Sequence, residues 1–273
     1  MTPLVIRAGA QTDVGRVREH NEDNFVVEDR LFAVADGMGG HAAGEVASAM
    51  AIDILGDVVE NDPIRPDDLK NALNDAHEHI LGSVADHPER RGMGTTMTGV
   101  AVVSAFGSEH WAVFNVGDSR VYRVVEGRFR QVTVDHSEIQ ELLAAGLITE
   151  AEARVHPGRN VITRSLGMSY PMEADLWVFP PADEETFLIC SDGLTNEVSE
   201  SDIAVILEAE DDPQVAADRL VHEACRGGGR DNVTVIVIHS RNDADDDERH
   251  DTAPRHGAES QEIGTSPDGD VGE

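Results

Sequence analysis

Residues 97–125, MTGVAVVSAFGSEHWAVFNVGDSRVYRVV, decide the fold class. Three apolar runs, MTGVAVVSA, WAVFNVG and RVYRVV, are separated by only five residues and then by two. A parallel pair of strands needs a crossover of about a dozen residues or more, so runs joined this tightly pair antiparallel. Outward from this stretch the same grammar recurs. Residues 24–35, NFVVEDRLFAVA, read as two strands around a Glu28-Asp29-Arg30 turn, and further strands are expected at Asp175 to Phe179, Thr186 to Ser191 and Val233 to His239. Helical spacing appears at 43–60, where Val46, Met50, Ile54 and Val58 recur every four residues. It appears again at 67–85, with Leu69, Leu73, Ala76, Ile80 and Val84 on one face. Two more helices are expected at 200–209 and 213–225, the latter opening on Pro213. The fold class is therefore α+β, with antiparallel sheets and helices packed outside them.

Residues 136–167 stand apart from that pattern. Ser137 with Gln140 and Thr149 with Glu152 have capping-box spacing, Gly146 stops the first of two short helices, and the apolar face is modest. This segment reads as a flap appended to the core. Residues 241–273 carry eleven acids against three arginines and almost no large apolar side chain. Such a segment buries too little surface to offset its ordering entropy, so a disordered acidic tail is expected after a folded unit spanning 1–240.

The 273 residues hold 53 acids against 21 Lys and Arg, a formal net charge of −32; the tail accounts for −8 and leaves −24 on the folded unit. Nucleic acid and anionic membrane surfaces are excluded as partners on electrostatic grounds. Lys70 is the only lysine, a bias that a GC-rich genome and a salt-adapted surface would each produce. Cys190 and Cys225 both lie in apolar stretches, which argues for a reducing compartment without disulfides. No apolar run approaches the roughly 18 residues of a membrane span, so the expectation is a cytoplasmic protein. No spare apolar surface is visible for oligomer formation, and a monomer is expected.

Four apolar runs carry an aspartate at one end. LFAVAD ends on Asp36, WAVFNVGD on Asp118 and TFLICSD on Asp192, whereas Asp231 opens DNVTVIVI. If the last strand runs antiparallel to its neighbours, all four carboxylates meet at one sheet edge, within reach of Asn21, Glu22 and Asp23 ahead of the strand NFVV. Carboxylates gathered so closely raise one another's pKa unless cations compensate. Hard divalent ions such as Mg²⁺ or Mn²⁺ suit an all-oxygen set, since no Cys/His cluster with zinc spacing accompanies it. Two such ions about 3.5–4 Å apart would share a water, lower its pKa and polarise a phosphoryl group for in-line attack. Taken singly, Asp36-Gly37, Asp192-Gly193 and Gly117-Asp118-Ser119 read first as turns; their recurrence, with glycines clustered at 37, 39, 40 and 44, is what points to an ion site.

These residues resemble the metal-dependent, type-2C family of Ser/Thr protein phosphatases in its compact bacterial form. The matching pieces run in order from Gly15 and Arg18-Glu19-His20-Asn21-Glu22-Asp23, through Ala35-Asp36-Gly37-Met38-Gly39-Gly40 and Gly94-Thr95-Thr96, to Asn115-Val116-Gly117-Asp118-Ser119-Arg120. They continue with Asp135-His136-Ser137, Ser165-Leu166-Gly167, Ser191-Asp192-Gly193-Leu194 and Gly229-Arg230-Asp231-Asn232-Val233-Thr234. The resemblance implies an α-β-β-α sandwich whose two antiparallel sheets carry a dinuclear Mn²⁺ or Mg²⁺ site at one edge. It implies that Asp36 bridges both ions, that the Gly37 carbonyl, Asp192 and Asp231 complete the set, and that Glu22 reaches a metal through water. Asp118, with Asp192, matches the acid of a third and weaker metal. Asp23 matches an acid that orients metal-bound water, Arg18 the guanidinium that grips the substrate phosphate, and Asn232 a residue holding a metal-bound water. Met38 stands where some relatives carry a histidine as candidate general acid, and His41 lies three residues on. No chemistry is assigned to His136 or Ser137.

The implied substrates are phosphoserine and phosphothreonine in proteins that are targets of a Ser/Thr kinase, or in that kinase itself, with the flap as the place where substrate choice would be made. Two other readings stay open: a phosphoprotein-binding pseudoenzyme, against which the four intact acids argue, and an acidic Ca²⁺ binder, which lacks the D-x-D-x-D-G loop with its terminal Glu. The negative charge of the folded unit should steer basic-flanked targets toward it. Turnover of an Arg-flanked phosphothreonine peptide is expected to fall with added NaCl more steeply than that of an acidic-flanked one; equal slopes in a salt titration would remove steering from the account.

Overall fold

Strands that are apolar on both faces must be covered on both faces, and the chain meets that requirement with four layers. The computed structural model describes residues 4–39, 43–153, 155–168 and 172–242. In chain order the elements are β1 (Leu4–Asp13), β2 (Asp23–Val27), β3 (Leu31–Met38), α1 (Ala43–Gly56), α2 (Pro66–Asp86), β4 (Gly94–Thr95), β5 (Met97–Ala105) and β6 (Ser108–Val116). There follow β7 (Arg120–Val125), β8 (Arg128–Gln131), α3 (Glu138–Ala144), α4 (Glu150–Ala153), β9 (Asp175–Phe179), β10 (Glu184–Cys190), α5 (Asp192–Thr195), α6 (Glu200–Ala209), α7 (Pro213–Gly227) and β11 (Val233–Asn242). One sheet has the order β1-β11-β10-β7-β8, the other β2-β3-β5-β6-β9 with β4 beside β3, and all pairings are antiparallel. This is the expected α+β sandwich.

Three cores follow from the period of two. In β3, Leu31, Ala33 and Ala35 face α1 and α2, while Phe32 and Val34 face the opposite sheet. In β11, Val233, Val235 and Val237 meet α6 and α7, while Ile236 and Ile238 point between the sheets toward Trp111, Val113 and Phe187. Each large apolar side chain removed from water contributes about 1.5–3 kcal/mol. The middle layer therefore holds the sheets together face to face.

Several expectations shift in detail. The run 97–125 is not one meander: β5 and β6 belong to one sheet and β7 to the other, so the chain changes sheets at residues 117–119 and leaves Asp118 at the crossing. The 43–60 helix ends at Gly56 and gives way to a 3₁₀ turn at Asp57–Glu60. Its fully buried positions are Ala47, Ser48, Ala51 and Leu55, mostly small residues that let the helix lie close on β3, while Val46, Met50 and Ile54 pack half-buried against the same core. Strand β1 goes beyond the expected elements; of its inward residues Leu4, Ile6, Ala8 and Ala10 two are alanines, and its partner is more than 200 residues away. The flap helices α3 and α4 bury only Ala153 between them. The expected caps form, with Ser137 Oγ accepting from Gln140 N and Glu152 accepting from Thr149 N at 2.8 Å. Arg241 and Asn242 complete β11, and the rest of the expected acidic tail, 243–273, lies outside the described residues, as do Gly40 and His41. Among the described residues, no helix is long and apolar enough to cross a membrane.

At one end of the sandwich a buried charge ties the sheets together. The Glu185 side chain of β10 is wholly enclosed; it accepts from Trp111 Nε1 of β6 at 2.6 Å, from Ala182 N at 2.9 Å and from Arg123 of β7 at 2.5 Å. Arg123 in turn lies over the Phe179 ring of β9, 4.4 Å from its centroid. Removing one partner of a buried ion pair strands the other, which costs about 3–5 kcal/mol. Glu185→Ala is expected to lower the unfolding free energy by about 3 kcal/mol in a urea titration followed by tryptophan fluorescence, and Glu185→Gln by less because the Trp111 bond survives. A loss below about 1 kcal/mol for the alanine variant would show that this latch is not structural.

Candidate metal centre

At the opposite end, β2, β3, β10 and β11 bring acids from both sheets together. Antiparallel pairing sets Asp23 directly across from Asp36. Asp192 follows β10 and Asp231 precedes β11, so the antiparallel pairing of those two strands brings both acids to the same end. Asp118 arrives from the sheet crossing after β6. Asp23, Asp118, Asp192 and Asp231 each raise the pKa of Asp36, and Glu22 and Arg18 interact with the same group. The sequence reading that placed four strand-end aspartates at one edge holds, and Asp23 joins them.

The backbone of Asp36 is held from three sides. Its N–H donates to Thr96 Oγ1 at 2.9 Å, and its carbonyl accepts from Thr96 N and Thr95 Oγ1, both at 2.9 Å. Gly37 follows because helix α1 starts against it: a Cβ there would stand 2.3 Å from the Gly44 carbonyl oxygen and 2.5 Å from that of Glu22. Glu22 lies at the start of α1, where its carboxylate accepts from the Gly44 amide. Asp23 is the link between sheets at this end. Its Oδ2 accepts from Ser191 Oγ at 2.8 Å and from Thr234 Oγ1 at 2.7 Å, both in the partner sheet's loops and strand. Ser191, Thr234, Thr95 and Thr96 had no role in the sequence reading, although all four lie inside the quoted motifs beside the acids.

Burial and mutual repulsion disturb the acids. Burial pushes Asp36 well above the carboxylate range, with Asp23, Asp192, Asp118 and Asp231 adding to it. Burial first, then Asp192, lifts Asp118 to about 7. Asp23 also rises to about 7, mainly by burial and against the bonds from Thr234 and Ser191. Asp192 rises to about 6 through burial and Asp231. Glu22 is raised by burial.

Whether these residues suit a cation is answered by their unused lone pairs. Asp23 Oδ1, Asp118 Oδ1 and Asp192 Oδ1 are buried with no hydrogen-bond partner, an arrangement that costs free energy unless a cation accepts those oxygens. The donor set is all oxygen, which suits Mg²⁺ or Mn²⁺. Among the described residues no three acids are already drawn into a metal-holding group. The hydrogen bonds give the reason. Asp231 Oδ2 accepts from Arg18 Nη2 at 2.8 Å and its Oδ1 from Asn232 N at 2.9 Å, while Asp192 Oδ2 accepts from Asn196.

Two further residues expected at the site have defined contacts. Arg18, half exposed, lies on Asp231 rather than free above the acids. Asn232 secures the loop ahead of β2: its Nδ2 donates to the carbonyls of Val14 and His20, both at 2.9 Å, and its Oδ1 accepts from Glu22 N at 2.9 Å. Both amide protons are thereby committed, and the side chain holds the chain on either side of Arg18 together with the Glu22 backbone.

Residues 15–215 match the family described as Protein phosphatase 2C. The chain is 37% identical over 244 residues to the serine/threonine phosphatase stp of Listeria welshimeri, covering 85% of this chain and 95% of that protein. It is 41% identical over 240 residues to the serine/threonine protein phosphatase PstP of Mycobacterium tuberculosis, covering 86% of this chain and 45% of that protein. The fold superposes with a TM-score of 0.80, at 36% identity, on a crystal structure of the PstP catalytic domain in complex with two manganese ions, covering 88% of this chain and all of that one.

A carboxyl whose folded pKa lies above its unfolded value binds its proton more tightly when folded. Its contribution is fully present below the unfolded pKa of about 4 and is lost as pH rises through the folded value. For Asp118 that loss falls between pH 4 and about 7. In chelator, Asp118→Asn is therefore expected to gain stability over the wild type by the order of 1 kcal/mol per pH unit between pH 5 and 7. Saturating Mn²⁺ should abolish the wild type's deficit. A stability difference in chelator that does not change with pH would show that Asp118 is not held in the repulsive cluster.

Proposed function

Because the chain belongs to the protein phosphatase 2C family, we propose that it hydrolyses phosphoserine and phosphothreonine in proteins at a dinuclear Mn²⁺ or Mg²⁺ site. The observation that carries this reading is the set of three buried, partnerless carboxylate oxygens on Asp23, Asp118 and Asp192 at the end where the two sheets meet. Asp36, Asp192 and Asp231 would hold two ions with the Gly37 carbonyl, Glu22 would hold one through water, and Asp118 with Asp192 would hold a third. When bound, such ions supply Lewis acidity toward phosphoryl oxygens and a lowered pKa for water.

The protein's own groups divide the remaining work. Arg18 leaves Asp231 to grip the phosphate dianion, a guanidinium fork matching two of its oxygens. Ser191 and Thr234 fix one oxygen of Asp23, which would hold the other in place to accept a proton from the attacking water. Repulsion among the crowded, ionised acids would be relieved by cations, which favours holding the ions that turnover requires. Met38 offers no proton to the leaving alkoxide, so water or another group must supply it. Phosphorylated targets of a Ser/Thr kinase, or that kinase, are the partners this chemistry fits, and a monomer in the cytoplasm suffices for it.

The chelator-stripped protein is expected to be inactive on a phosphothreonine peptide, to gain turnover on titration with Mn²⁺ or Mg²⁺, and to lose it in Asp192→Ala by about a hundredfold or more. Saturable metal binding without turnover of phosphopeptides or of a small aryl phosphate would favour a phosphoprotein-binding module instead.

A further inference from the structure

His136 has no part in the chemistry above, yet its ring is almost fully enclosed and its contacts run in three directions. Gly117 N–H donates to His136 Nδ1 at 3.1 Å, and His136 N–H donates back to the Gly117 carbonyl at 2.9 Å. A backbone N–H can only donate, so Nδ1 is the acceptor and the ring proton sits on Nε2. Nε2 faces Asp175 Oδ2 of β9 at 3.3 Å, and Arg164 Nη1, from the far stem of the flap, stands 3.5 Å from Asp175 Oδ1. The His136 carbonyl accepts from Thr163 N at 2.8 Å, and Ser137 pairs with Ile162, so the two flap stems are zipped together at this residue.

The loop it touches has little freedom to find its place unaided. Gly117 has φ +116°, and a Cβ there would meet Thr96 at 2.6 Å, so the chain turns sharply into Asp118 between the two sheets. Asn115 Nδ2 donates to the Gly117 carbonyl from the other side at 3.1 Å. One buried oxygen of the Asp118 carboxylate has no partner, and the group bonds to its own backbone amide. Its position is set by the backbone on which it stands.

We propose that His136 is a positioning residue: its neutral ring clamps the loop that carries Asp118 and ties that loop to both stems of the flap. The proposal rests on the reading of Asp118 as a metal-holding acid for its consequence, and on the hydrogen bonds alone for the clamp. A movement of the flap stems would then reach Asp118 through one imidazole, so a target seated against the flap would alter the hold on the weakest ion.

The test is hydrogen–deuterium exchange of the full chain, metal-free and with Mn²⁺, combined with a Mn²⁺ titration counted by electron paramagnetic resonance. The variants are His136→Ala, His136→Asn and Asp118→Asn. Asparagine sets an amide oxygen where Nδ1 stood but cannot reach Asp175, so it separates the two halves of the clamp. In His136→Ala, exchange should quicken by about tenfold in both 115–119 and 160–166 while the cores keep their protection, and the weakest Mn²⁺ site should loosen by about tenfold. His136→Asn should restore 115–119 and the Mn²⁺ site but leave 160–166 fast. Unchanged exchange at 115–119 in the alanine variant, a uniform rise across the whole protein, or no rescue by asparagine would each overturn the clamp. Should the alanine variant not fold, the asparagine variant decides alone: 160–166 fast with 115–119 protected supports the proposal, and both fast overturns it. If Asp118→Asn leaves the Mn²⁺ count unchanged, the metal reading of Asp118 fails while the exchange arm still decides the clamp.

Discussion

Repulsion among buried carboxylates is the constraint on which the rest of this structure depends. Asp23, Asp36, Asp118, Asp192 and Asp231 sit where two sheets end together, and burial and mutual repulsion hold four of them above the ordinary carboxylate range. A protein that merely needed to fold would not place them so, because each enclosed carboxylate opposes the folded state near neutral pH. The arrangement is tolerable because three cores, one between the sheets and one under each helical layer, supply the stability that the acidic end removes.

The sandwich is fastened differently at its two ends. Far from the acids, Glu185 is paired with Arg123 and Trp111 and joins the sheets through a satisfied buried charge. At the acidic end the sheets are joined by Asp23 with Ser191 and Thr234, where one carboxylate oxygen is satisfied and the other is left bare. One end is a closed network and the other an open one. The open end is where chemistry with a cation and an anionic substrate is possible, since a fully satisfied network has no lone pair to offer. Arg18 expresses the same economy, resting on Asp231 and available to a stronger anion.

Much of this was legible along the chain. The aspartates at the ends of apolar runs marked the site because a strand end is a place, and short connections between runs made the strands antiparallel, so several ends had to coincide. The capping spacings at Ser137 and Thr149 were read correctly because caps are local. Elsewhere the signals were weak or indirect. Strand β1 escaped because Ala8 and Ala10 make a faint alternation and its partner is β11, at the far end of the chain. In α1 the most deeply buried positions are mostly small residues the spacing did not single out, with Val46, Met50 and Ile54 packed half-buried beside them. Ser191 and Thr234 stood inside recognised motifs, but a hydroxyl's partner is not written in its neighbours.

By itself, then, the sequence determined the fold class, the layered order of strands and helices, the acidic character of the surface and the identity of the acids that gather, because each follows from period, spacing and composition within a few residues. Only the tertiary structure decided that the chain changes sheets at Asp118, that Asn232 holds a loop, that Arg18 rests on Asp231, and that His136 binds the flap to the Gly117 backbone. These are contacts between groups as much as two hundred residues apart. A hydrogen bond depends on position and direction to within a few tenths of an ångström, and such precision arises only once the whole core has set the backbone.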